Sequence, residues 1–149
     1  MKSQFTIGVF GMIFDEKNRV LLCHRKDHDL WNLPGGALEA GEAPWDGVRR
    51  EVREETGLNV EVIKLTGVYS KQDKNNIVFS FVCKIMDGQI TLNDEADQIE
   101  YFEVDKLPVN TVPKQVERIN DFLEAPTEVT LKIQRGRSTI ELLEEGKLK

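Results

Sequence analysis

The chain has 149 residues, of which 40% are hydrophobic and 31% charged, a composition that suits one globular domain with one sizeable core. Its net charge of −6 argues against general binding to DNA or RNA backbones, which needs a basic surface. No apolar run approaches the ~18 residues of a membrane helix, and the start MKSQFTIG lacks the apolar stretch of a signal peptide, so cytoplasmic location is the default expectation.

Phe5 to Phe14 is rich in Phe, Ile, Val and Met and reads as a strand. Asp15 to Arg19 is a polar turn, and Val20 to Cys23 reads as a second strand leading into His24-Arg25-Lys26. Lys26 to Glu42 holds Pro34 and the Gly35-Gly36 pair and reads as a loop. A helix is expected from Pro44, which favours the first helical turn, to Gly57, a C-terminal stop. Its apolar face is Trp45, Val48 and Val52, with Thr56 beside them. Val60 to Tyr69 is a strand candidate, Lys71 to Asn76 a polar turn, and Ile77 to Met86 a strong strand followed by an Asp87-Gly88 hairpin signal. Ile90 to Leu92 and Ile99 to Val104 are further strands. Pro113 to Leu123 reads as a helix with Val116, Ile119, Phe122 and Leu123 as its stripe. In the tail, Glu128 to Ile133 looks like a strand. Ser138-Thr139-Ile140-Glu141 fits a capping box opening a short helix that ends at Gly146. This order of strands and helices predicts an α/β fold with a mixed sheet between helices. Cys23 and Cys83 lie in apolar runs and read as reduced core thiols, without zinc-site spacing.

Glu51, Glu54 and Glu55 stand at i, i+3 and i+4, which puts three carboxylates on one side of the expected helix. Such neighbours repel by roughly 0.2–0.5 kcal/mol per pair. A hard divalent cation turns the same arrangement into a binding site. The pattern points to a metal-dependent enzyme acting on a phosphate-bearing substrate.

The run from Gly36 to Leu58 resembles the Nudix box of the MutT-like hydrolases, G-x5-E-x7-R-E-U-x-E-E-x-G-U, with U a bulky aliphatic residue. Gly36, Glu42, Arg50, Glu51, Val52, Glu54, Glu55, Gly57 and Leu58 fill every defined position. Trp31 to Gly36 resembles the family's W-x-L-P-G-G lead-in. Tyr101-Phe102 with Asp105-Lys106-Leu107-Pro108 resembles its usual ending. The resemblance covers roughly Phe5 to Leu123. It implies an α/β/α sandwich with a mixed central β-sheet. Residues 1–125 would form the Nudix domain, and residues 126–149 a C-terminal extension packed on it.

The resemblance also implies hydrolysis of a nucleoside diphosphate linked to a further group X. Glu51, Glu54 and Glu55, with the carbonyl of Gly35, would hold Mg²⁺ or Mn²⁺, and water would attack phosphorus at the diphosphate. Arg50 would fix the rotamer of a box carboxylate, Glu51 first. Glu95 is the first candidate for general base and Asp97 the second. Arg25 would meet a substrate phosphate, and Gly36 would serve backbone geometry at the substrate. His24 and His28 read as surface or loop residues. Trp31 reads equally as a base-stacking or a loop-anchoring residue, and one face of the strand holding Phe79 and Phe81 is open as a base pocket. The family's proline mark for ADP-ribose and its tyrosine mark for diadenosine polyphosphates are absent. Nucleoside triphosphates or sugar nucleotides stand slightly ahead, and a nucleic-acid polymer is disfavoured. The alternative is a catalytically silent nucleotide-sensing domain. The tail after Pro126 is left open between covering the sheet edge, shaping the pocket and pairing two copies.

Overall fold

The computed structural model of the chain describes residues 4–144, so the expected helix end at Gly146 lies outside the described residues. Among the described residues, eight strands and three α-helices follow one another: β1 Thr6–Ile13, β2 Arg19–Arg25, β3 Trp31–Asn32, β4 Gly35–Ala37, α1 Pro44–Thr56, β5 Leu58–Lys71, β6 Asn76–Gly88, β7 Ala96–Glu103, α2 Pro113–Glu124, β8 Thr130–Ile133 and α3 Thr139–Glu144. They form a five-stranded sheet in the order β4-β1-β6-β5-β8 and a three-stranded sheet in the order β3-β2-β7. The larger sheet is mixed. β1 runs parallel to β6 and β8 parallel to β5, while β4–β1 and β5–β6 are antiparallel.

Strand periodicity explains the layering. Val9 and Ile13 of β1 turn to one face and Met12 to the other, because successive side chains point to opposite sides. The first face packs Leu21, Cys23, Phe81 and Cys83 against Val48 and Val52 of α1. The second packs Val20, Leu22, Trp31 and Leu33 against Ile119 of α2. Helices on both faces make the α/β/α sandwich. Val48 and Val52 are fully buried, and each stabilises the α1 docking by roughly 1.5–3 kcal/mol.

The expected helix boundaries hold closely. Pro44 opens α1, and Gly57 closes it at φ 81°, its N–H donating to the Arg53 carbonyl. A side chain at Gly57 would also put its Cβ 2.5 Å from the Gln89 carbonyl oxygen. The apolar faces are narrower than expected. Trp45 is 58% exposed and lies off the core. On α2 only Ile119 of the expected stripe is fully buried, while Gln115 and Arg118 are buried instead.

The Asp87-Gly88 pair does not make a hairpin. Both residues stay in β6, opposite Asn59 and Leu58. Ile90 to Leu92 is an extended connection held by the Thr91 N–H donating to the Thr56 carbonyl, not a strand. The hairpin is made earlier, where β5 and β6 are joined by a 3-10 turn at Gln72–Lys74 and by Asn75 at φ 48°. The expected loop from Lys26 to Glu42 contains β3 and β4. The tail contributes β8, which lies along β5 at the edge of the larger sheet.

Candidate active site

α1 lies across the sheet, so its Glu51–Glu55 edge meets the mouth formed by β2, β4 and the segment before β7. A cleft of about 570 Å³ opens there, lined among others by Arg25, Gly36, Glu51, Glu55 and Glu95. Glu54 is not on this wall. Glu54 and Glu55 are consecutive, hence about 100° apart around the helix, and the Glu54 carboxylate turns outward to Arg50.

Arg50 is the hub of the box. Its Nε donates to Glu42 Oε2 at 2.7 Å and its Nη2 to Glu42 Oε1 at 3.0 Å, a bidentate pair. Its Nη1 donates to Glu51 Oε1 at 3.0 Å and to Glu54 Oε2 at 3.1 Å, and Nη2 also reaches the Ala37 carbonyl. The main partner is therefore Glu42, eight residues back, rather than the expected Glu51. Glu42 holds the Arg50 guanidinium above its ordinary pKa, and Arg50 holds the Glu42 carboxyl below its own. A metal cation is thus not the sole partner of the clustered glutamates, because the single positive charge of Arg50 is shared among Glu42, Glu51 and Glu54 and offsets part of their charge.

Glu55 lies outside this network. It is 8% exposed, and it makes no ion pair among the described residues. Burial, then the charges of Glu51 and Glu95, push its carboxyl up to about 8, against the Gly35 amide and the Arg25 charge. Burial also raises the Glu51 carboxyl. A buried, like-charged, oxygen-only donor set of this kind fits a hard divalent cation. Among the described residues no group of three or more His, Cys, Asp or Glu is gathered as a ligand cluster. Gly35 meets the site through its amide, directed at Glu55.

Gly36 is needed for space. A Cβ there would stand 2.7 Å from the Glu51 carboxylate, so β4 and α1 come this close only because position 36 has no side chain. Gly36→Ala is expected to displace the Glu51 carboxylate and lower turnover by about 100-fold, with melting temperature changed far less. Steady-state rates beside a thermal scan check this.

Arg25 lines the cleft, but Asp27 holds its fork, with Nε–Oδ1 at 2.7 Å and Nη2–Oδ2 at 2.6 Å. A substrate phosphate would meet the remaining Nη1 or displace Asp27. Glu95 is on the wall and Asp97 is not. Asp97 Oδ1 accepts from His24 Nδ1 at 2.7 Å, and Asp29 Oδ1 accepts from Nε2 at 2.7 Å. Asp29 and then Asp97 raise the His24 pKa against the effect of burial. His24 is thus a clamp between β2, β7 and the Asp29 loop. Nothing in its local spacing signals this, because both partners come from pairing and loop placement.

Two further cleft residues escaped sequence reasoning. Asn32 Oδ1 is buried without a hydrogen-bond partner. Gln115 bridges α2 to the lead-in loop, its Oε1 accepting from the Leu33 N–H at 2.6 Å. Trp31 is core, edge-on to Phe102 with ring centroids 4.9 Å apart. Phe79 and Phe81 stack at 6.4 Å and pack on the α1 side, away from the cleft.

Residues 4–124 match the NUDIX domain family. The chain belongs to the Nudix family. It is 32% identical over 134 residues to a putative 8-oxo-dGTP diphosphatase of Bacillus subtilis, covering 87% of this chain and 88% of that protein. It is 36% identical over 109 residues to an ADP-ribose pyrophosphatase of Methanocaldococcus jannaschii, covering 68% and 64% respectively. A solved Nudix hydrolase from Nitrosomonas europaea superposes with a TM-score of 0.80 at 23% identity, over 91% of this chain and 82% of that one, which shows the fold. As a Nudix pyrophosphohydrolase, the chain acts on diphosphate bonds.

Proposed function

We propose that this Nudix protein hydrolyses a small nucleoside diphosphate linked to a group X, using Mg²⁺ or Mn²⁺. The observation that carries this reading is Glu55, a buried carboxylate pushed up to about 8 on the wall of a cleft it shares with Glu51 and Glu95. Such a group is costly in the charged form unless a cation joins it.

Glu51 and Glu55 would hold the ion, with Glu54 reaching it only after leaving Arg50. When bound, the ion supplies charge neutralisation and Lewis acidity at the diphosphate. The chain does the rest. Arg50 and Glu42 hold Glu51 in place. Arg25 meets a phosphate oxygen at the cleft wall. Glu95 takes the proton of the water that attacks phosphorus in line.

The names of the two relatives differ in the group beyond the diphosphate, and triphosphates and sugar nucleotides both remain in the substrate class. The cytoplasm is the proposed location, supported by Cys23 and Cys83, which are free and buried. A panel of nucleoside diphosphate derivatives with Mg²⁺ or Mn²⁺, run in ¹⁸O-labelled water, tests the reading. One labelled phosphate-containing product per turnover is expected. No product from any member would favour the nucleotide-sensing alternative. Glu54→Gln is expected to slow turnover by about 10–100-fold, and unchanged metal-dependent turnover would remove Glu54 from the site.

A further inference from the structure

A second cavity of about 350 Å³ adjoins the cleft and shares Phe10, Gly36, Ala37 and Gln115 with it. Its character is opposite. Lys71 of β5 and Lys114 and Arg118 of α2 line it, and among the described residues no Asp or Glu does.

These cations are poorly neutralised. Arg118 is only 3% exposed. Its Nε and Nη2 both donate to Gln134 Oε1, at 3.1 and 3.0 Å, while Nη1 has no hydrogen-bond partner among the described residues. Its guanidinium lies over the Phe10 and Tyr69 rings, 5.5 and 5.4 Å from their centroids. The rings hold it flat without satisfying its outer donors. Glu117, the carboxylate nearest in charge, is engaged by Gln134 and Lys132. The Lys71 ammonium has no hydrogen-bond or ion-pair partner among the described residues. Burial, with Lys114 and Arg118 close by, holds it below the usual lysine range. Lys114 gives one bond to the Gly136 carbonyl at 2.8 Å and keeps two donors. Asp73 and Glu141 both act on the two lysines without contacting them, and Lys74 takes the Glu141 carboxylate at 3.1 Å. Ser138 and Thr139 close the wall from the tail.

Three cations with open donors around one cavity, none in an ion pair among the described residues and offset only at a distance by Asp73, Glu117 and Glu141, are costly unless an anion joins them. We propose that this cavity binds a phosphate monoester carried by the substrate at an end remote from the scissile diphosphate. A dianionic phosphate suits several converging cations better than a carboxylate does. The active-site cleft then takes the diphosphate and the basic cavity takes the distal phosphate. The assignment of the distal group to a substrate rests on the hydrolase reading above. The anion site itself does not.

Two measurements keep these apart. The first titrates inorganic phosphate into metal-free protein and follows backbone amide shifts. Saturable shifts are expected at Lys71, Lys114 and Arg118, with affinity weakened about tenfold by Lys71→Gln or Lys114→Gln. Shifts confined to Arg25 and its neighbours, or affinity unaltered by both substitutions, would overturn the site. The second compares matched pairs, ADP-ribose with its 2′-phosphate and NAD⁺ with NADP⁺, under Mg²⁺. The phosphorylated member is expected to have a KM lower by about tenfold, and Lys71→Gln to collapse that ratio. Equal KM values in the wild-type protein would sink the substrate assignment. Phosphate binding without hydrolysis of any diphosphate would instead sink the catalytic reading and leave the anion site standing.

Discussion

Glu55→Gln is expected to lower metal-dependent turnover by about 10²–10⁴-fold, the loss of several kcal/mol of electrostatic stabilisation, and at the same time to stabilise the metal-free protein at pH 8. The two effects have one cause. Below its ordinary value of 4.5, Glu55 is protonated in folded and unfolded chains alike. Between there and about 8 the unfolded chain releases the proton while the folded chain keeps it. The folded state then binds more protons, so stability falls as pH rises through that window. The full effect is on the order of a few kcal/mol, and Glu51, also raised, adds to it in the same direction. Gln keeps the size of the side chain and removes the charge. Thermal scans of metal-free protein at pH 5.5 and pH 8 should show a drop for wild type and a flatter response for the variant. Mg²⁺ should restore wild type at pH 8 and do much less for Glu55→Gln. A wild-type melting temperature independent of pH across that interval would remove Glu55 as the strained group.

Arg50→Ala carries the second large effect. It unties Glu42, Glu51 and Glu54 at once and leaves two of these carboxylates, Glu42 and Glu51, with little exposure. The melting temperature is expected to fall by roughly 5–10 °C and turnover by about 10²-fold, because Glu51 loses the contact that fixes it. Arg50→Lys should recover little of either. An ammonium cannot form the bidentate pair with Glu42 and also reach Glu51, Glu54 and the Ala37 carbonyl. Full rescue by lysine would show that Arg50 acts as a charge alone.

Arg50 also marks how far local reading reaches. The family resemblance pointed Arg50 at a box carboxylate, Glu51 first, and the bond to Glu51 is present. The stronger bidentate partner, Glu42, lies before the helix, and the turn through Gly41 and Pro44 decides that meeting. Trp45 misled for the related reason that an amphipathic stripe marks a face, whereas the width buried depends on what that face meets. Here the sheet covers Val48 and Val52 and stops short of Trp45. The Asp87-Gly88 pair carries a turn composition, yet the long pairing of β5 with β6 holds both residues extended.

The sequence by itself determined the α1 boundaries, the box with its carboxylates, the α/β class and the family. These rest on periodicity and on short fixed offsets, which a single helix or strand translates directly into geometry. The tertiary structure alone decided that Glu55 is the buried carboxyl without an ion pair among the described residues while Glu54 faces Arg50. It alone clamped His24 between two aspartates and gathered Lys71, Lys114 and Arg118 around a second cavity. Each of these is a meeting between distant segments, and strand register and helix docking set such meetings, which no local spacing encodes.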